Sequence, residues 1–251
     1  MTDSADAISC EPGREQIIDR YARIGRLGGW HRARSQLKRA IFNAAVAGTL
    51  LVKRLLDIVA SIFLLIALLP FFALVALLIR LDSSGPILFS QVRVGRWGKT
   101  FAIWKFRSMY TDAEERKAAL EKEQVVDAHH AQAQRFKMKK DPRITRVGRF
   151  IRKGSIDELP QLWNVLRGDM SLVGPRPPVP REVAKYTLAD RRRLEVIPGI
   201  TCIWQVSGRS DIPFDQQVEL DVDYIESHSL RMDLHLLLKT IPAVFMGKGA
   251  Y

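Results

Sequence analysis

The chain has 251 residues, 47% hydrophobic and 26% charged, a balance that sustains one buried core and excludes a wholly disordered polypeptide. The length suits one catalytic domain with additional segments and excludes two full-sized domains plus a linker. A net charge of +12 favours phosphate-bearing partners such as nucleic acid, anionic lipid or a nucleotide, and a mean hydropathy of -0.05 excludes a polytopic membrane protein while leaving room for a single apolar segment.

Residues 1–52 read as a polar, basic tail and an interfacial helix. Asp3, Asp6, Glu11, Glu15 and Asp19 are incompatible with a cleavable secretory signal, and Arg20, Arg23, Arg26, Arg32, Arg34, Lys38 and Arg39 charge the later part. From Ile58 to Ile79 the chain is apolar apart from Ser61 and Pro70, enough for about 33 Å of helix, roughly the thickness of a bilayer's hydrocarbon. Lys53 and Arg54 precede the run, and Arg80, Arg93 and Arg96 follow it, so both flanks carry the charge of the cytoplasmic side. Pro70 removes a backbone hydrogen bond and permits a sharp break. A re-entrant helix over 53–84, broken at Pro70, satisfies both observations, and a tilted span with a tolerated kink is the alternative.

Residues 85–251 read as a cytosolic catalytic domain. Strands are expected at 87–91 and 100–106 around the turn at Gly95 to Gly98. A helix is expected over 111–134 with Asp112 near its start, and others over 160–167 closed by Gly168, over 214–225 and over 234–245. The fold class is therefore α+β and helix-rich, a membrane-anchored chain with a small cytosolic catalytic domain containing short strands. Cys10 and Cys202 lack zinc or redox spacing and read as reduced thiols. His129 and His130 lack partner ligands at useful spacing and read as a solvated helix face.

The densest positive charge comprises Arg135, Lys137, Lys139, Lys140, Arg143, Arg146, Arg149, Arg152 and Lys153, broken by Asp141, and it leads directly into Asp157 and Glu158. Adjacent carboxylates at the exit of a cationic stretch point to a site that grips phosphate with arginine forks and uses an acid as nucleophile or metal ligand. Helix initiation offers a structural explanation of the same residues, because Ser155 and Glu158 match a capping box. With Pro160 at the first helical position instead, the carboxylates lie just outside a positive helix end; both registers stand open. Arg176 sits among Pro175, Pro177 and Pro178, whose stiffness limits the entropy lost on presenting a guanidinium to phosphate. Gln205 and Arg209 flank flexible glycine, Asp221 lies a short helix away, and Trp204 reads as core. Walker, dinucleotide-binding, zinc and serine-elbow patterns are absent.

Taken together, Lys105 to Met109, Asp141 to Thr145, Ser155 to Gln161, Asn164 to Leu166, Gly168 to Pro177 and Pro198 to Arg209 resemble the bacterial sugar transferases, the monotopic polyprenyl-phosphate glycosyl-1-phosphate transferases. The likeness covers 53–251, and Trp204 to Asp211 with Gly249 to Tyr251 resemble the exopolysaccharide branch. The resemblance implies transfer of sugar 1-phosphate from a UDP-sugar, UDP-glucose or UDP-galactose, to undecaprenyl phosphate, with release of UMP and a requirement for Mg2+. It assigns Asp157 as the nucleophile that forms an aspartyl-phosphate and Glu158 as its metal-binding or proton-handling neighbour, the two together being the metal ligands. Phosphate and nucleotide contacts fall on Lys105, Arg107, Arg152, Arg176 and Arg209, with Gln205 and Asp221 as further substrate-binding positions. It also implies a bacterial inner-membrane location with the catalytic domain facing the cytosol, contact with membrane lipid, a second copy of the chain as a candidate partner, and no nucleic acid. Two departures stand out. Cys202 replaces a usual glycine, which predicts a reshaped loop before Gln205, and Leu69 replaces a usual serine before the membrane proline. A membrane-tethered basic module that binds anionic lipid or nucleic acid is the competing reading, and it leaves the carboxylate pair and Arg176 without a purpose.

Overall fold

The computed structural model describes residues 14–116, 141–208 and 211–246. The chain divides into two compact units, Met1–Leu51 and Val52–Tyr251, and helix α1 (Arg14–Ala67) runs through the boundary. In the first unit the described residues are helical, with Leu37, Ile41, Phe42 and Val46 exposed. In the second unit α1 ends at Ala67 and, after the single residue Leu68, α2 (Leu69–Asp82) begins, bent by 60° from its predecessor. Pro70 lies in the first turn of α2, where its missing N–H costs no intrahelical bond. The bend thus forms without a hydroxyl at Leu69. Among the described residues no single helix is long and apolar enough to cross a membrane, but the bent pair meets that test jointly. Leu55, Val59, Ile62, Phe63 and Ile66 on α1 and Leu74, Leu77, Leu78 and Leu81 on α2 are exposed, a larger apolar display than a water-facing surface carries.

Both ends of this bent pair are held by the same unit. At the entry, Lys53 Nζ donates to Asp233 Oδ2 at 2.7 Å and to the Val173 carbonyl at 3.2 Å. Arg54 donates to the carbonyls of Val165 at 2.6 Å and Leu166 at 2.9 Å, acceptors in the last turn of the short helix Leu162–Arg167, where a cation also complements the helix dipole. Buried Asp57 accepts from Ser171 Oγ at 2.7 Å and Leu172 N at 3.2 Å. At the exit, Asp82 Oδ2 accepts from Val147 N at 2.9 Å. Lys53 and Arg54, read from the sequence as membrane-flanking charge, therefore hold the folded unit together.

Strands β1 (Leu88–Val94) and β2 (Thr100–Phe106) pair antiparallel, Phe89 facing Lys105 and Arg93 facing Phe101. A 3-10 turn, Arg96–Gly98, joins them, matching the expected hairpin. Residues 113–116 are helical; the rest of the helix expected to 134, His129, His130, Arg135, Lys137, Lys139 and Lys140 lie outside the described residues. Then come α3 (Arg146–Lys153), a 3-10 helix (Ile156–Gln161), α4 (Leu162–Arg167) and β3 (Ser171–Val173). Short helices α5 (Pro180–Val183) and α6 (Leu188–Arg191), strand β4 (Gly199–Thr201), α7 (Ile203–Ser207), α8 (Phe214–Ser227) and α9 (Leu230–Met246) complete the unit. Gly168 closes α4 at φ 88°, the left-handed cap its position predicts.

Two features fix the site's frame. Fully buried Asn164 acts as a strand mimic, donating to Ala102 O at 2.7 Å and accepting from Trp104 N at 3.1 Å, which joins α4 to the edge of β2. Strands β3 and β4 pair in parallel, Ser171 with Gly199 and Val173 with Thr201, an element that sequence periodicity over three residues does not signal. A Cβ on Gly199 would overlap the backbone of Gly174, so the close approach needs glycine at both positions. One core cluster joins Ile103, Leu162, Val165, Met170, Leu172, Val173, Tyr224 and Leu236, and a second joins Val75 and Ile79 of α2 to Phe106 and Ile151.

Candidate active site

The residues singled out for chemistry come from separate elements and converge on one cleft of about 1140 Å³. Lys105 stands at the end of β2, Arg152 in the last turn of α3, Asp157 and Glu158 on the 3-10 helix, Arg176 just after β3, and Gln205 on α7; all six line the cleft. Its walls also include Phe71 of α2 and Phe150 of α3, so it extends from the carboxylates to the bent helix pair.

Of the two helix registers read from the sequence, the one starting after Ser155 forms at the carboxylate pair, as a 3-10 helix and without the capping-box bond, and the one with Pro160 at the first helical position does not. Gly154 closes α3, and Ser155 adopts the left-handed conformation (φ 52°, ψ 21°) without capping through its side chain. The chain then enters a 3-10 helix with Pro160 inside it. A non-glycine residue in that region costs about 1–2 kcal/mol, a strain that concentrates at functional sites. At three residues per turn, neighbouring side chains diverge by about 120°, and the two carboxylates separate accordingly. Asp157 is buried, while Glu158 turns to Lys105, whose Nζ donates to Oε1 at 2.6 Å.

Electrostatics separates them further. Burial pushes the Asp157 carboxyl up to about 6, with the Glu158 charge adding to it and Lys105 and Arg152 opposing. Burial also penalises ionised Glu158, but Lys105, Arg176 and Arg93 overcome that and hold it down at about 2. Two adjacent acids driven apart in this way take different roles, one a group poised near neutral pH and the other a permanent anion.

The remaining predicted positions differ. Arg107 also lines the cleft, but it is buried and commits its guanidinium to Ser84 O at 2.7 Å, Ser83 O at 2.6 Å and Ser83 Oγ at 2.9 Å, so it clamps the exit of α2. Asp221 is 1% exposed and ion-paired with buried Arg193, away from the cleft lining; that pair ties α8 to the residues before β4 and is a structural partner where a substrate contact was expected. Arg209 lies outside the described residues. Cys202 has an extended backbone (φ -149°) that accepts a side chain as readily as glycine, and its thiol donates to Gln205 Oε1 at 3.1 Å.

Sequence reasoning missed Arg93 and the Asp141–Arg143 pair. Arg93 donates to Pro177 O at 3.0 Å and Gln91 Oε1 at 2.7 Å, bracing the loop of Arg176. The period-two alternation that places it on the Lys105 face of the hairpin was its available signal. Asp141 accepts from Arg143 Nε at 2.9 Å and Nη2 at 2.6 Å; burial raises its pKa, but the bonds from Arg143 outweigh it and lower the carboxyl below its ordinary range. The acid that interrupts the cationic run thus engages one of the run's own cations.

Among the described residues no group of three or more His, Cys, Asp or Glu could hold a metal ion. Asp157 and Glu158 nonetheless fit Mg2+, which binds through one or two carboxylates and completes its shell with water and substrate phosphate; a protein-only metal cage does not fit.

A family profile described as bacterial sugar transferase matches residues 48–247. The chain is 49% identical over 203 residues to the galactosyl transferase CpsE of Streptococcus agalactiae serotype III, covering 80% of this chain and 44% of that protein. It is 44% identical over 210 residues to an undecaprenyl-phosphate galactose phosphotransferase of Salmonella typhimurium, 83% of this chain and 44% of that protein. With the exopolysaccharide production protein ExoY of Sinorhizobium fredii it shares 41% identity over 199 residues, 79% of this chain and 88% of that protein. The chain therefore spans less than half the length of the first two relatives.

Proposed function

This chain belongs to the bacterial sugar transferase family, and we propose that it transfers sugar 1-phosphate from a UDP-sugar to undecaprenyl phosphate, releasing UMP. The observation that carries the reading is Asp157, a buried carboxyl with a pKa of about 6, beside the Lys105–Glu158 pair in a cleft shared with Arg152 and Arg176. Above pH 6 Asp157 is ionised and attacks the sugar-side phosphorus; the bond to UMP breaks, leaving an aspartyl-phosphate that carries the sugar. The acceptor phosphate then attacks the same phosphorus, the P–O bond of the acyl phosphate breaks, and Asp157 leaves as the free carboxylate. Displacement at phosphorus needs positioned, neutralised oxygens more than a strong base, and Lys105, Arg152 and Arg176 provide that charge. Glu158, a permanent anion, suits holding Lys105 and a metal ion better than carrying protons. Asp157 and Glu158 would hold Mg2+, which would supply charge neutralisation to the phosphate oxygens.

The bent helix pair is the membrane anchor in this reading. Lys53, Arg54 and Asp57 at its entry and Asp82 at its exit all bond within one unit, which supports re-entry, and the positive charge on both flanks supports a catalytic domain facing the cytosol at the inner membrane. Relatives named for galactose and glucose transfer favour UDP-galactose or UDP-glucose as donor and exopolysaccharide initiation as the setting.

The test is UMP release by detergent-purified chain with Mg2+ and a panel of UDP-sugars, with and without undecaprenyl phosphate. Lipid-dependent release with one sugar, abolished by Asp157→Asn, is expected. Release without lipid identifies a hydrolase, and no release with any sugar leaves the basic lipid-binding module as the better account.

A further inference from the structure

Helix α3 carries four cations. Arg152 and Lys153 line the cleft, and Arg146, Arg149, Phe150 and Lys153, spaced i, i+3, i+4 and i+7, are exposed and form one outward stripe. Phe150 is 68% exposed, and no described carboxylate pairs with these three cations in the ion pairs of the structure. Arg146, at the first helical position, also sits at the end of the helix dipole that disfavours positive charge. Helix stability does not account for this face.

Its surroundings do. The inner side of α3, through Val147 and Ile151, packs into the cluster of Val75, Ile79 and Phe106, and Asp82 bonds Val147 N. Helix α3 therefore lies beside the last two turns of α2, whose other side exposes Leu74, Leu77, Leu78 and Leu81. If those turns meet lipid, α3 sits at headgroup height. Resting on the re-entrant reading above, we propose that the Arg146, Arg149, Lys153 and Phe150 face binds anionic phospholipid headgroups, with Phe150 at the acyl boundary. Long cationic side chains reach headgroup phosphate while an aromatic ring occupies the boundary below. The same Phe150 lines the cleft, so this contact sets the cleft mouth at the level of a membrane-borne phosphate.

The test uses the full chain in nanodiscs of phosphatidylcholine with a minority of phosphatidylglycerol. Environment-sensitive fluorophores are attached singly through Phe63→Cys and Phe150→Cys in a Cys10→Ser background, and bromine quencher is placed on the acyl chains of one lipid at a time. Quenching at both positions is expected. At position 150 it is stronger per molecule from phosphatidylglycerol, by roughly fivefold, and Arg146→Gln/Arg149→Gln/Lys153→Gln removes that preference while quenching at 63 persists. An unquenched label at 63 overturns the re-entrant anchor itself. Quenching at 63 but not at 150 overturns the lipid surface alone, as does equal quenching by both lipids.

Discussion

The Lys105–Glu158 bond is the point at which stability and chemistry are most tightly joined, and a double-mutant cycle tests both. The pair is short at 2.6 Å, with side chains only 15% and 19% exposed. Lys105→Met keeps the bulk and removes the cation, leaving Glu158 partly buried and unpaired, a loss of about 3–5 kcal/mol for a broken buried pair. For a unit of roughly 200 residues this lowers Tm by about 6–20 °C. Lys105→Met/Glu158→Gln removes both charges and recovers most of the loss, because the remaining groups are neutral. The same variants move Asp157 in opposite directions. Without Lys105 it loses a cation that lowers its pKa, so the acid limb of the rate profile moves above about 6; Glu158→Gln removes a repelling anion and moves it below. Thermal unfolding in detergent and initial rates from about pH 5 to 8 measure the two effects. Additive stability losses, or an acid limb that stays in place in both single variants, would refute the arrangement.

Asp157→Asn should abolish transfer yet stabilise the fold at neutral pH. A carboxyl raised to about 6 from 3.8 favours the folded state while protonated, and that contribution, of order 3 kcal/mol, is lost as pH rises from about 4 through 6; a variant no more stable than the parent at pH 8 contradicts the burial argument. Arg107→Gln should destabilise by about 1–3 kcal/mol for each carbonyl of Ser83 and Ser84 left without a donor and hasten proteolysis there. A raised KM for donor with unchanged stability would return Arg107 to a substrate role. Gly148→Ala places a Cβ against the backbone carbonyl of Ser108, so a loss of at least about 1–3 kcal/mol from overpacking is expected in thermal unfolding. Wild-type stability would show that this junction yields.

Local chemistry was legible in the sequence alone. The apolar run and its break at Pro70, the hairpin of 88–106, the cap at Gly168 and the helices after 213 follow from periodicity and turn residues, which act over a few positions. The motif strings brought Lys105, Arg152, Asp157, Glu158, Arg176 and Gln205 together as a candidate site, and these six line one cleft. The purpose of the other charges was decided only by tertiary structure. Lys53 pairs with Asp233, Arg54 closes α4, Arg93 braces the Arg176 loop, Arg107 holds Ser83 and Ser84, and Asp221 neutralises Arg193. The left-handed turn at Ser155 and the parallel pairing of β3 with β4 likewise depend on neighbours distant in sequence. An arginine beside a carbonyl and an arginine beside a phosphate are identical in sequence, and only the folded chain brings one partner within hydrogen-bond distance and removes water from the other choices.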